Sequence, residues 1–348
     1  MSTQVPSLME SVTNTRTDLI NDLYGPLHKL ADRCTEDWND RARMEERLAK
    51  EFHSIPYCKY LYAMDTAGIQ ITANIHKDGL MPESFGRDRS DRPYVKEALQ
   101  VASYAGSLTS RTSQLWEYLN NGEPAADFLL SEAYISLSAL RPSVTAIQLV
   151  RNRDGEIIGL LGADFALRNL PNTSCLYEDR RLSRTFSPQH IGQIPEYESA
   201  NCRSKTDNNI ITVISVTEEL VVYHGVFHLK IHFISDQVTL WTMDDPYRYR
   251  LLKVEEVIDP DICMAYPKWD YAEGSVISKK DVRAILKNFG QLRMLNGYFR
   301  LRSASLNIFN GMVGLTFSSE GSHYLPYEDF LKTDLRLWQP DPGSNQAS

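Results

Sequence analysis

A long stretch of helical periodicity at the start of the chain constrains the fold more than any other feature. Residues 7–53 are predicted to be helical, with an interruption near Gly25-Pro26, because proline lacks the amide hydrogen that a helix interior needs. Such a helix must cover its apolar stripe with a sheet or a partner helix. The apolar side chains that recur at helical spacings are Leu8, Val12, Leu19, Leu23, Leu27, Leu30 and Trp38.

Short β-prone runs separated by turn residues follow this helical stretch. Asp-Gly turns near residues 65–68 and 152–155 are typical of hairpins. A short helix is predicted over residues 94–102. The strands are predicted over residues 59–64, 69–75, 134–137, 144–151 and 157–165. The order predicts an α+β domain, with a long N-terminal helix and an antiparallel sheet.

A change of composition divides the chain. Residues 171–207 are rich in Pro, Ser, Asn and Arg, which predicts a linker. The first domain is then residues 1–170, the second is residues 208–338, and residues 339–348 form a disordered tail. The second domain is also predicted to be α+β with antiparallel strands, and no tandem repeat of fixed period is found. Its strands are predicted over residues 210–216, 220–233, 237–243, 298–301, 305–310 and 312–317, with a helix over residues 279–289.

Charge and composition exclude several classes of protein. The 348 residues include 37 basic and 45 acidic side chains, and the net charge of −8 argues against nucleic acid or an anionic membrane as the main partner. The longest apolar runs have the length of a strand, so no membrane span is predicted. The five cysteines form no C-x-x-C pair, which favours reduced thiols and a cytoplasmic location. No metal or cofactor is expected.

Three groups of polar residues could form a binding site. Residues 86–94 place three arginines and two aspartates before a predicted helix, and a helix start with arginine side chains suits a small anion. The same charges could instead pair with one another and cap the helix. Asp164 ends an apolar strand, where it could hold a ligand amine or cap the strand end. Tyr134 and Ser136, two residues apart, share one strand face.

Four motifs in order resemble Cache sensor domains, the PAS-like domains also called PDC sensors. The resemblance covers about residues 7–170. Its motifs are the first hairpin at Lys59–Asp65 and Gly68–Thr72, the Arg-Pro-Tyr segment at Asp91–Tyr94, the Ser-x-x-Tyr strand at Ser131–Ser136, and the closing hairpin at Asp154–Asp164.

The resemblance implies a ligand and residues that bind it. In that family the arginine and tyrosine of the loop-helix motif face the acid group of the ligand, and the aspartate that ends the last strand faces its amine. The ligand would be a small polar metabolite, such as an amino acid or a carboxylate. The residues implied are Arg92, Tyr94, Tyr134 and Asp164, with Ser136 lining the pocket and with Arg87 and Trp116 as further candidates.

The chain departs from the family pattern in one respect. Most members lie outside the membrane between two spanning helices and drive a kinase, a cyclase or a chemoreceptor. No spanning segment or output motif is found here. We therefore expect a cytoplasmic ligand-binding sensor that signals through an unidentified protein partner, with a homodimer through the first helix.

Two other functions stay open at this point. One is an enzyme with a site in the C-terminal half or between the domains; the other is a scaffold protein with an empty sensor fold. His224, His228 and His232 recur every four residues and would share one face of a strand, but neighbours would lie about 13 Å apart, too far to share one metal ion. We expect a solvated polar face there, and the segments 244–250 and 259–261 are predicted to be turns.

Overall fold

The computed structural model describes residues 8–105, 127–137, 139–171, 204–295, 301–318 and 321–335. The chain divides into two compact units. The N-terminal unit comprises Val12–Tyr134 and Ser143–Pro171, and the C-terminal unit comprises Met1–Ser11, Ile135–Pro142 and Asn172–Ser348. None of the described helices is long and apolar enough to cross a membrane.

The first helix is longer than predicted. Helix α1 spans Leu8–Cys34 and passes through Pro26, so the predicted interruption at Gly25-Pro26 is wrong. The break comes after Cys34 instead, and α2 spans Arg41–Glu51, where the Asp40 side chain accepts a hydrogen bond from the Arg43 amide. The buried stripe of α1 agrees with the apolar periodicity, with Leu19, Leu23, Leu27 and Leu30 at 0–2% exposure.

The N-terminal unit contains an antiparallel sheet whose strand order is β3-β2-β1-β7-β6-β4, with β5 paired to β6. The predicted fold class, a long N-terminal helix with an antiparallel α+β sheet, is confirmed. Helix α3 spans Pro93–Ala105. The strands are β1 (Tyr60–Met64), β2 (Asn74–His76), β3 (Gly79–Met81), β4 (Phe128–Leu130), β5 (Tyr134–Ile135), β6 (Pro142–Arg151) and β7 (Ile157–Ala166).

The C-terminal unit contains a six-stranded antiparallel sheet in the order β10-β9-β8-β11-β12-β13. Its strands are β8 (Val226–His232), β9 (Gln237–Thr242), β10 (Asp245–Lys253), β11 (Leu301–Asn307), β12 (Met312–Phe317) and β13 (Gly321–Pro326). Its helices are α4 (Lys205–Asn208), α5 (Ile210–Tyr223), α6 (Val254–Val257), α7 (Lys279–Met294) and α8 (Tyr327–Lys332).

Several segments of this unit differ from the sequence prediction. Leu301–Asn307 is one strand, whereas two were predicted over residues 298–301 and 305–310, and Pro260–Ala265 is a 3-10 helix that begins within the turn predicted at 259–261.

Ile210–Tyr223 is a helix and not a strand, because residues that are apolar on every side also suit a buried helix. The capping box of Ser204 and Asp207 begins the helical region just before it. Asp245–Lys253, predicted in part as a turn, is an edge strand.

The C-terminal sheet is built from two similar halves. Val226–His232 corresponds to Leu301–Asn307, and Gln237–Thr242 corresponds to Met312–Phe317, at one constant offset along the chain. Both β8–β9 and β11–β12 shift register at the equivalent place. The turns match as well, since Asp236 and Gly311 both have positive φ, at 52° and 69°. The unit therefore contains an internal repeat that the sequence analysis did not find.

A buried ion pair joins Asp207 of α4 to Arg293 of α7 within the C-terminal unit. The Arg293 Nε and Nη2 atoms donate to the two carboxylate oxygens of Asp207, at 2.6 and 2.9 Å. The Arg293 Nη1 atom donates to the Leu301 carbonyl at 2.7 Å. Both side chains are buried, at 2% and 3% exposure. The two groups satisfy each other in a region that water does not reach.

Candidate ligand-binding site

Asp164 lies on one face of the N-terminal sheet, between polar residues of the two adjacent strands. It pairs with Tyr60 of β1 and with Thr145 of β6. Residues that are paired across antiparallel strands point to the same face. Tyr62, two residues beyond Tyr60, pairs with Gly162 and therefore shares this face. The sheet thus brings a carboxylate, two phenols and a hydroxyl together.

Hydrogen bonds fix the orientation of the Asp164 carboxylate. The Tyr62 hydroxyl donates to Asp164 Oδ1 at 3.0 Å, and the Thr145 hydroxyl donates to the same atom at 2.7 Å. The Tyr134 and Thr145 hydroxyls are 2.7 Å apart. Because Thr145 has one proton and gives it to Asp164, Tyr134 is the donor of that bond. Among the described residues, Asp164 Oδ2 accepts no hydrogen bond, and Asp164 is only half-buried.

Tyrosine rings form the wall around this carboxylate. Tyr94 of α3 stacks on Tyr134, with ring centroids 5.6 Å apart and an angle of 25° between the planes. Burial raises the pKa of both Tyr62 and Tyr134, and the nearby negative charge of Asp164 raises it further. Both phenols therefore keep their protons at neutral pH and act as donors. We call Asp164, Tyr62, Thr145, Tyr134 and Tyr94 the Asp164 cluster.

The buried arginine of the site is Arg89, a residue that the sequence analysis did not select. Its guanidinium lies 3.9 Å from the centre of the Tyr62 ring, and its Nε atom donates to Gln70 Oε1 at 2.8 Å. Burial alone would lower the pKa of Arg89, but Tyr62 and Asp164 raise it, so the side chain stays charged. Arg89 supplies positive charge close to the Asp164 cluster.

The predicted site residues fall into two groups. Tyr94, Tyr134 and Asp164 come together in the Asp164 cluster. Arg92 immediately precedes α3 and is half-buried, and its guanidinium makes no hydrogen bond or ion pair within the described parts of the chain.

The remaining predicted site residues lie elsewhere. Arg87 is exposed. Ser136 belongs to the C-terminal unit, where its hydroxyl accepts the Ala139 amide at 3.4 Å. Trp116 lies outside the described residues.

Residues that the sequence analysis missed gave only weak signals. Tyr62 and Tyr60 alternate with apolar residues on β1, so a period of two could have placed them beside Asp164. Thr145 is the polar residue in an otherwise apolar stretch of β6. For Arg89 and Arg92, three residues apart in one loop, no sequence signal tells which one turns inward.

A separate cleft of about 740 Å³ lies on the same unit. The charged side chains that line it already have partners within the protein. Arg41 pairs with Glu45 at 2.8 Å, and Asp65 Oδ1 accepts hydrogen bonds from the amides of its own turn. None of the predicted ligand-binding residues lines it. Its lining includes Trp38, Met44, Ile71, Phe85 and Ile157. We therefore place the candidate site at the Asp164 cluster and not in this cleft.

Replacing Gly162 by alanine is expected to destabilise the N-terminal unit by about 1–3 kcal/mol, because the new methyl group would overlap a fixed ring. A β-carbon at Gly162 would lie 2.5 Å from Cζ and 2.8 Å from Oη of Tyr62. The ring must move, which breaks its hydrogen bond to Asp164. Urea unfolding measures this change.

Gly25→Ala is the matched control for that variant. Nothing lies within 4 Å of a β-carbon at Gly25, and it is inside a helix, so alanine is expected to stabilise by about 0.5–1 kcal/mol. Equal stability of the Gly162→Ala variant and the wild type would mean that Tyr62 is not held against β7.

The three histidines of the possible metal site do not share one strand face. His224 ends helix α5 and is buried, with Nδ1 at 2.9 Å from the Tyr266 carbonyl oxygen. Only His228 and His232 lie on β8. The described residues contain no group of three or more potential ligands that could hold a metal ion. The expectation that all three histidines line one strand face is therefore wrong.

His224 is expected to make the C-terminal unit less stable in acid. Burial lowers the pKa of His224 to about 4, although its hydrogen bond to Tyr266 opposes that shift. In mildly acidic solution the imidazole of His224 therefore binds a proton in the unfolded chain and stays neutral in the folded chain. The contribution of His224 to the free energy of unfolding is fully present above about pH 6.5. It falls by on the order of 3 kcal/mol as the pH decreases toward about 4. Urea unfolding across this pH range measures the loss.

His224→Asn is the control for this pH effect. The asparagine amide can still donate to the Tyr266 carbonyl oxygen but does not titrate. We expect a shallower pH dependence for this variant. His232, whose pKa burial also lowers to about 4, remains in both proteins and cancels in the comparison. Equal slopes would show that His224 is not the group responsible.

Among the known proteins compared with this chain, solved structures alone match it. No protein-family model matches the chain, and no curated protein matches its sequence. Solved structures that match include the ligand-binding domain of chemoreceptor CtaA from Pseudomonas fluorescens with L-isoleucine, at 16% identity and a TM-score of 0.30. The match covers 46% of this chain and 54% of that chain.

Two further structures are similar to the same extent. The ligand-binding domain of Campylobacter jejuni Tlp3 with 4-methylisoleucine is 20% identical, with a TM-score of 0.27, covering 47% of this chain and 62% of that one. The Pseudomonas aeruginosa PctC domain with GABA is 20% identical, with a TM-score of 0.30, covering 47% and 61%. This chain spans less than two thirds of the length of each.

Proposed function

We propose that the N-terminal unit is a sensor that binds a small zwitterion of the amino-acid class at the Asp164 cluster. One observation carries the proposal. The two hydroxyls that donate to Asp164, those of Tyr62 and Thr145, both bond to Oδ1, which leaves Oδ2 without a hydrogen bond among the described residues. A half-buried carboxylate oxygen beside tyrosine rings suits a ligand ammonium, through its charge and through cation–π contact.

The other end of the ligand would face the start of α3. Arg92, with no partner among the described residues, directly precedes this 13-residue helix. At this helix start the amides of Arg92 and Val95 already donate to carbonyls and Pro93 has no amide hydrogen. The guanidinium of Arg92 is therefore the group that favours a carboxylate. Arg89 is already bonded to Gln70 and Asn74, so its role in this proposal is to hold Tyr62 and to add positive charge.

Binding of a panel of ligands to the full chain tests this proposal. Thermal shift and calorimetry would compare amino acids, their methyl esters, which lack the carboxylate, and the matching acids that lack the amine. L-Isoleucine and GABA, the ligands of two chemoreceptors named above, are suitable first members. Intact zwitterions are expected to raise the melting temperature, because ligand that binds only the folded state stabilises it.

The proposal fails if no amino acid in the panel binds, or if the acids without an amine bind as tightly as the zwitterions. Signalling through a protein partner is part of the same proposal, since the chain carries no recognised output motif. The cytoplasmic location and a dimer through α1 stay predictions from the sequence.

A further inference from the structure

One face of the C-terminal sheet carries mainly polar and aromatic side chains. Along β8 the apolar residues Leu229 and Ile231 are buried, and the side chains that alternate with them point to the other face. We call this second face the polar face. Its positions, taken from the strand register, are Tyr249, Leu251, Lys253, Gln237, Thr239, Trp241, His228, Lys230, His232, Ser303, Ser305, Asn307, Met312, Gly314, Thr316, Ser322, Tyr324 and Pro326.

The polar face carries positive charge and no carboxylate. None of its positions is Asp or Glu, although the whole chain has 45 acidic residues and a net charge of −8. Lys230 lies near its centre and Lys253 lies at its edge. The absence of acidic side chains in an acidic protein favours a negatively charged ligand on this face.

Lys230 has no competing partner there. Its ammonium makes no hydrogen bond or ion pair with any residue that the structure describes. Its neighbours across the sheet are Ser305 and Thr239, and His228 and His232 flank it on its own strand. Burial and then the charge of Lys230 lower the pKa of both histidines, so they are neutral at pH 7 and leave Lys230 as the central charge.

Aromatic rings form a ladder that ends beside Lys230. The rings of Trp241 and His228 are stacked, with centroids 4.4 Å apart and 14° between the planes. Tyr249 continues the ladder on the other side of Trp241, at 5.9 Å. The next position in the row beyond His228 is Asn307. Asn307 carries no ring, so the described ladder stops at His228, and the Asn307 Oδ1 atom accepts the Phe309 amide at 3.0 Å.

We propose that the polar face binds a mononucleotide, that is, a planar heteroaromatic ring that carries a phosphate. The ring would stack on the open side of His228 and extend the aromatic ladder over β11, as planar rings do on aromatic side chains. The phosphate would lie against Lys230 and the Ser305 hydroxyl, where an ammonium and a hydroxyl donate charge-assisted hydrogen bonds. This site is separate from the Asp164 cluster and does not depend on it.

Calorimetry on the full chain with AMP, GMP, adenosine and inorganic phosphate tests this site. AMP or GMP is expected to bind saturably, and adenosine or phosphate alone is expected to bind at least roughly tenfold more weakly, since each makes only one of the two contacts. No saturable binding of either nucleotide would overturn the proposal. Equal binding by inorganic phosphate would also overturn it, because the ring would then contribute nothing.

Three variants locate the site, each checked for an unchanged melting temperature. Lys230→Gln and Trp241→Leu are each expected to weaken nucleotide binding by roughly tenfold. Lys253→Gln, which removes the same charge at the edge of the same face, is expected to bind as the wild type does. If Lys230→Gln binds AMP like the wild type, the assignment to the polar face is wrong.

Discussion

Replacing Arg293 by methionine is expected to lower the free energy of unfolding of the C-terminal unit by roughly 3–5 kcal/mol, because it leaves the buried Asp207 carboxylate without its partner. Methionine fills most of the volume of the arginine stem, so the loss reports the charge and not a cavity. The Leu301 carbonyl loses its donor as well. Urea unfolding followed by circular dichroism measures the change.

Two controls separate the buried charge from other effects. The double variant Arg293→Met with Asp207→Asn is expected to be more stable than Arg293→Met alone, since it removes the unpaired charge. Lys205→Ala breaks the exposed pair with Glu255 and is expected to leave the unfolding midpoint unchanged. A double variant less stable than Arg293→Met would contradict the account of Asp207 as an unpaired buried charge.

Asp164→Asn is expected to weaken ligand binding at the N-terminal unit by roughly 100-fold, because it removes the charge that would face the ligand ammonium. Asparagine keeps the shape of the side chain, and its carbonyl oxygen can still accept from Tyr62 and Thr145. Its amide nitrogen then occupies the position of Oδ2 and presents hydrogens to the ammonium. Calorimetry with the best ligand of the panel measures the loss of affinity.

Asp127→Asn is the matched control, since Asp127 is a carboxylate of the same unit that pairs with Arg151 at 2.8 Å. We expect its ligand affinity to equal that of the wild type. If Asp164→Asn binds as tightly as Asp127→Asn, the ammonium does not lie at Asp164. That result would leave the description of the fold unchanged and would overturn the proposed function.

Periodicity predicted the buried stripe of α1, where one side of the helix is apolar. The strands β6 and β7, which are buried at nearly every position, were predicted from apolar runs on either side of an Asp-Gly turn. Helix α5 was missed because its apolar residues continue around the whole helix, which removes the period that separates a helix from a strand. Strand β10 was missed because its polar and aromatic residues at the sheet edge also suit a turn.

The candidate site was predictable only in part, for a geometric reason. Tyr94, Tyr134 and Asp164 each stand in a motif, and the structure brings them together. Tyr62 and Thr145 complete the hydrogen bonds through pairing across strands that are far apart in sequence. Spacing along one strand cannot supply that register, and the choice between Arg89 and Arg92 depends on the path of a loop.

The internal repeat could not be recognised in the sequence, because its two halves have the same strand arrangement but few identical residues. The burial pattern along β9 equals that along β12, but only Val238 with Val313 and Leu240 with Leu315 are identical pairs within these strands. Those positions form the core, where an apolar side chain of suitable volume is the main requirement. The outward positions have diverged.

This divergence fixes how many nucleotides one chain can hold. Two similar halves could present two equivalent sites, related by the local axis that passes between β8 and β11. The repeat places Ser303 where the first half has His228, and Thr316 where it has Trp241. Ser305, opposite Lys230, is the repeat equivalent of Lys230 itself. The second half has Tyr324 on the polar face, but it has neither a stacked pair like His228 and Trp241 nor an ammonium at Ser305. A titration should therefore saturate at one nucleotide per chain.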